Sequence, residues 1–177
     1  MRMMIAARSV AALAGAALLL GGCASPPVRP GPASAPAPLR DVLAEVRAAG
    51  VETEADGIDV TPLRDPVVDD LRDRAARHEA ERDYAAADAV LEDALRLVPG
   101  DPELLQWRAE LALVRGAWDD AVRLASEAWE RGPRLGGLCR RSWTVIRLAR
   151  EFTGHPDAAS AAQAQLMRCT IEPPVRM

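Results

Sequence analysis

Apolar and polar positions change rhythm three times along the chain. Ser9 to Leu20 is a run of apolar and small residues about a dozen long. Residues 24–38 carry six prolines among Ala, Ser, Gly, Val and Arg, with no periodicity. From Asp65 onward, apolar residues recur three and four positions apart between stop signals at Pro99-Gly100 and Gly132-Pro133, the rhythm of amphipathic helices. Asp65-Pro66 and Asp101-Pro102 each set a capping residue before a proline at the first helical position, where a missing N–H costs nothing. This part of the chain is predicted to be all-helical. Leu39 to Ala49 predicts a short helix ended by Gly50. Residues 51–64, acidic and β-branched around Gly57 and Pro62, read as extended or loop.

The N-terminal rhythm is that of a secretory signal. A basic start with Arg2 and Arg8 precedes the apolar run, which falls short of the roughly 20 residues a membrane-spanning helix needs. Leu20-Gly21-Gly22-Cys23 resembles the lipobox of bacterial lipoproteins. The resemblance implies cleavage of residues 1–22 and acylation of Cys23. Ala24 follows, where an aspartate tends to retain such proteins in the inner membrane, so the expected location is the periplasmic face of the outer membrane. Two or more acyl chains anchor a protein stably. Residues 23–38 then become a lipidated cysteine and a semi-rigid, proline-rich tether.

A longer period runs through the helical part. Pro99 and Pro133, Ala87 and Ala121, Ala94 and Ala128, Ala75 and Ala109, and Tyr84 and Trp118 are each 34 residues apart. Small residues suit the places where two helices approach closely, and a large aromatic suits a wedge at the start of a second helix. With this period the chain resembles the tetratricopeptide repeat, a helix-turn-helix unit. Residues 68–101 and 102–135 resemble two clear repeats. Residues 136–169 resemble a degenerate third, with Leu138–Phe152 and Pro156–Cys169 as its helices. Gly116 fits the turn of the second repeat, whereas Arg82-Asp83 in the first implies a turn built differently. Residues 39–67 precede the repeats and 170–177 form a C-terminal tail. The expected fold is therefore all-α, with tetratricopeptide-like pairs after a signal peptide and tether.

With Cys23 lipidated, Cys139 and Cys169 remain as an even pair in an oxidising compartment. They fall near adjacent ends of the expected third hairpin, so a disulfide stapling the terminal repeat is expected. No catalytic constellation is recognised. His78 and His155 lack metal spacing, no phosphate-cradling glycine loop is present, and adjacent carboxylates such as Asp119-Asp120 point in different directions on a helix. No enzyme activity, metal or cofactor is expected. The acidity remaining after signal removal, 26 acids against 20 arginines, argues against a nucleic-acid protein. Charge is uneven: residues 41–103 carry 18 acids and 7 arginines, while residues 131–150 carry six arginines and no acid.

Tetratricopeptide ligands usually lie along the face lined by the first helix of each pair. Carried onto this sequence, that face comprises Arg72 and Glu79, then Glu103, Gln106, Glu110 and Leu113, then Arg140, Thr144 and Arg147. Such a mixed, partly basic groove suits an extended peptide bearing acidic groups. Trp118 and Trp143 are expected in the core, leaving Trp107 or Trp129 for a contact patch. The resemblance implies a lipid-anchored periplasmic adaptor or scaffold that binds an envelope protein, as related-looking lipoproteins do in outer-membrane assembly, pilus or secretin biogenesis, or regulation of peptidoglycan enzymes. The alternative is a direct binder of lipopolysaccharide or peptidoglycan through the basic segment Arg131–Arg150.

Overall fold

Aspartate opens four of the helices. In the computed structural model, which describes residues 41–51 and 65–170, the side chains of Asp41, Asp65, Asp83 and Asp101 accept hydrogen bonds from backbone N–H groups of Ala44, Val67, Ala86 and Leu104 at 2.8–3.0 Å. Each satisfies a donor that the first turn leaves without an intrahelical partner. The helices are α1 (Val42–Ala49), α2 (Pro66–Ala80), α3 (Tyr84–Leu97), α4 (Pro102–Val114), α5 (Trp118–Arg131), α6 (Gly137–Phe152) and α7 (Pro156–Met167), with no strand among the described residues. The signal segment expected over 1–22, Cys23, the tether expected over 24–38, the loop expected over 52–64 and residues 171–177 of the expected tail lie outside the described residues.

Helices α2/α3, α4/α5 and α6/α7 form three hairpins. The six alanines of the 34-residue period, at positions 75, 87, 94, 109, 121 and 128, are all fully buried. A methyl group is the largest side chain that lets backbones approach so closely, which is why the period is written in alanine. Trp118 and Trp143 pack partly buried against the core; Trp118 stacks on Phe152 at 4.8 Å, and Trp143 meets Trp129 edge-on at 5.2 Å. Trp143 stands where the other two repeats carry alanine, and the tryptophan pair fills the space between α5 and α6.

Helix α4 is central. Leu104 and Leu111 join the core built on α2 and α3, while Leu105, Ala109, Ala112 and Leu113 join the one shared with α5 and α6. A helix with neighbours on every side needs apolar residues on every side. Cys139 and Cys169 are bonded, with Cα atoms 5.6 Å apart, and tie the start of α6 to the turn after α7.

The turns inside the three hairpins correct one expectation. The first is built like the others, not differently. Arg82, Gly116 and Gly154 occupy the same place with φ of 61°, 73° and 73°. In each turn the next residue donates its N–H five residues back, from Asp83 to His78, Ala117 to Ala112 and His155 to Arg150, all at 2.9 Å. This is the Schellman arrangement, which favours glycine at the left-handed position. Arginine tolerates it at a cost of about 1–2 kcal/mol. Because the Arg82 side chain is exposed, Arg82→Gly removes strain and little else. It is expected to raise stability by about 0.5–1 kcal/mol after allowing for the looser unfolded chain. Urea unfolding of the two proteins checks this.

Candidate functional site

Helix α1 rests on α4 and α6, the first helices of the second and third pairs. Its eight residues are too few to be helical alone in water, so its docking is what keeps it wound. Val46 is fully buried and Val42 packs beside it, four residues earlier on the same face. Three ionic contacts flank this apolar strip. Arg47 reaches Glu79 on α2 at 2.7 Å and Glu110 on α4 at 3.2 Å, and Arg147 on α6 pairs with Glu45. Arg140 closes the end of α1, donating to the carbonyls of Ala49 and Val51 at 2.8 and 2.9 Å. A cation placed there meets the negative end of the helix dipole.

Glu110 is the hub. Its carboxylate is wholly buried and accepts from Arg141 at 2.6 and 2.8 Å, from Arg47 at 3.2 Å and from the Gln106 amide at 3.1 Å. Ser142 donates to Gln106 Oε1 at 2.8 Å, completing a network that joins α1, α4 and α6. A buried carboxylate left without such partners would carry a large desolvation cost.

Beside α1 the surface opens into a cleft of about 360 Å³ between α2 and α4, lined by Arg47, Arg72, Ala76, Glu79, Trp107 and Arg141, among others. The Arg72 guanidinium lies over the Trp107 ring, 5.6 Å from its centroid, and the indole N–H donates to Glu79. Burial pushes the Glu79 carboxyl up, but hydrogen bonds from Arg47 and Trp107, with the charge of Arg47, outweigh it and hold the group below the usual carboxylate range. Glu103 is paired with Arg141 at 3.2 Å. The cleft thus presents one fixed aromatic face with cations around it.

The nine residues expected along the binding face divide into three groups. Arg72, Glu79 and Glu103 line the cleft. Arg140 and Arg147 hold α1. Gln106, Glu110, Leu113 and Thr144 are buried, at most 1% exposed, and cannot meet a partner in this arrangement. They are corrected to interior positions: Glu110 is bonded by α1 and α6, Gln106 by Ser142 of α6, Thr144 donates to the Arg140 carbonyl within α6, and Leu113 belongs to the core. Arg47, Trp107 and Arg141 complete the cleft without having been placed there by the sequence, although Trp107 was one of two candidates for a contact patch. The other, Trp129, carries the Arg134 guanidinium 3.8 Å above its ring. Among Arg131–Arg150, Arg131 pairs with Glu127 and Arg134 with Trp129. Arg140, Arg141 and Arg147 bind α1 or α4, so five of the six arginines have partners within the chain.

A family profile described as tetratricopeptide repeat matches residues 79–135. Among solved structures, the globular C-terminal domain of P. aeruginosa LpoP is similar, with a TM-score of 0.56 and 26% identity over 59% of this chain and 99% of that one. No curated protein sequence matches the chain.

Proposed function

We propose, for a chain whose described helices form a tetratricopeptide-repeat domain, that it is a lipid-anchored adaptor of the bacterial envelope recruiting a protein partner through the cleft beside α1. The observation that carries this reading is the cleft itself. Trp107 is held in place between Arg72 and Glu79, so an apolar side chain and an acidic group of a bound segment meet a prepared surface. Fixed aromatic and arginine side chains are the residue types that dominate binding energy at interfaces. Repeat domains of this type generally bind proteins, and the likeness to the LpoP domain agrees with a globular module carried at the end of a longer chain. The lipobox-like sequence at Cys23 supplies the envelope location. Five of the six 131–150 arginines have partners within the chain, which counts against the polyanion reading.

Two outcomes test this. Tagged protein extracted from membranes is expected to co-purify a defined envelope protein, and Arg72→Glu, which reverses charge at the rim of the cleft, is expected to reduce recovery at least ten-fold while leaving the helical circular-dichroism signal intact. Equal recovery with Arg72→Glu removes the cleft from the account. Cys23→Ala is expected to leave the signal uncleaved and the protein absent from the lipid-labelled fraction; normal maturation of that variant removes the anchor.

A further inference from the structure

The polar residues expected to hold a partner do hold a peptide, and it is α1. Glu79 and Glu110 bind Arg47, Arg147 binds Glu45, and Arg140 binds the helix end. These contacts read a specific chemistry: two apolar residues four apart, an acid directly before the second, a base directly after it, and exposed carbonyls at the C-terminal end. This is the helix-in-groove mode of recognition, seen here within one chain.

Three observations mark α1 as replaceable. First, it contributes one fully buried side chain, Val46, whereas α4 contributes eight residues to the interior. Second, Glu110 keeps three hydrogen bonds when Arg47 leaves, because Arg141 and Gln106 donate to Oε1, and Oε2, which Arg47 served, is uncovered to water as α1 departs. Third, the fit is incomplete. Arg147 Nε is buried without a hydrogen-bond partner among the described residues, although Glu45 and Glu151 take the two terminal nitrogens. An acidic residue presented slightly differently would satisfy it. An unmet buried donor is an interaction the present occupant leaves unused.

We propose that the α4–α6 face is a receptor for an amphipathic helix of this chemistry, that α1 is its resident occupant, and that a partner helix with the same pattern binds by displacing α1. The proposal rests on the adaptor reading above and adds to its cleft a second seat, on the α4–α6 face, with a stated helix chemistry. In this opening α1 unseats and unwinds in one event, withdrawing Val42 and Val46 from the core shared with α4, α5 and α6, while the hairpins keep the rest of that core and the one built on α2 and α3.

The test uses the full chain and a fluorescein-labelled peptide of residues 41–51 as probe. Val42→Asp and Val46→Asp are placed on the apolar strip of α1 and line no part of the cleft, so groove and cleft are both untouched. Both folded variants are expected to bind the probe at least ten-fold more tightly than the wild type, and a probe carrying Arg47→Glu is expected to lose that binding. In the wild-type protein, hydrogen exchange of α1 amides is expected to run at least a hundred-fold faster than that of α4. The proposal is overturned if neither variant gains affinity, or if α1 and α4 amides exchange at the same slow rate. It is overturned equally if the wild type forms concentration-dependent dimers that Val46→Asp abolishes, since the occupant would then be a second copy's α1. Loss of co-purification with intact probe binding would fell the adaptor reading and leave the receptor standing. Failure of the probe with a cleft-dependent partner would do the reverse.

Discussion

Alanine at both Cys139 and Cys169 is expected to lower the unfolding free energy by about 3.5 kcal/mol and the thermal midpoint by roughly 14 °C. The first figure follows from chain entropy, because the bond closes a loop of 30 residues that the unfolded chain would otherwise explore. The second follows from the usual unfolding entropy of a domain of this size. The location makes the effect hard to compensate. Helix α7 packs on α6 alone and buries only Ala159 and Ala162, so it has little apolar surface to hold it once the bond is gone. The hydrogen bond from Gly136 N–H to the Cys169 carbonyl, 2.8 Å long, joins the same two ends and loses its anchor with the disulfide. Alanine is the informative replacement, since serine would bury two hydroxyls at residues that are 1% exposed. Differential scanning calorimetry reads the midpoint, and hydrogen exchange should show α7 losing protection before any other helix. An unchanged midpoint would mean that packing alone holds the terminal hairpin.

Arg141→Ala is expected to cost about 3 kcal/mol, far more than a surface arginine usually does. It strips two hydrogen bonds from Glu110 and leaves a fully buried carboxylate with only Arg47 and Gln106. The lost pairing with Glu103, which is 42% exposed, contributes little because water replaces it. The asymmetry gives a sharper test. Replacing both partners, Glu110→Leu with Arg141→Met, removes the buried charge together with its counterion and should cost less than Arg141→Ala alone. Urea denaturation of the three proteins decides the order. A single Arg141→Ala cost below about 1 kcal/mol would show that water reaches Glu110 and that the hub is weaker than its geometry implies.

The hairpins were legible because their signals are steric. Alanine at 75, 87, 94, 109, 121 and 128 marks close approach whatever surrounds it, and an aspartate before a helix declares its cap. The first turn was misread for a related reason: Gly116 advertises a left-handed residue, whereas Arg82 adopts the same conformation without any compositional sign. The lining of the candidate cleft was partly legible. Arg72, Glu79 and Glu103 could be located from repeat position alone. Glu110 could not be told from a surface residue, because what covers it includes α1, a helix with no place in the repeat, and Gln106 and Thr144 are buried polar residues with no compositional sign of it. The one available sign lay in α4 itself, since "PELLQWRAELALV" has apolar residues on all sides and so predicts neighbours on all sides. Nothing in eight residues of α1 states where it docks; the match of Glu45 and Arg47 to Arg147 and Glu110 exists only once the helices are assembled.

Helix α1 is joined to α2 through 13 residues, 52–64, between Val51 and the Asp65 cap. A segment on so short a leash revisits its groove at a local concentration on the order of millimolar. A rival helix free in solution at about micromolar concentration starts at a thousand-fold disadvantage and must bind intrinsically about 4 kcal/mol more tightly to prevail. A rival confined beside the groove, on the same membrane or within the same assembly, escapes most of that handicap. The groove would then respond to whether a partner is co-localised rather than to how much of it the cell contains.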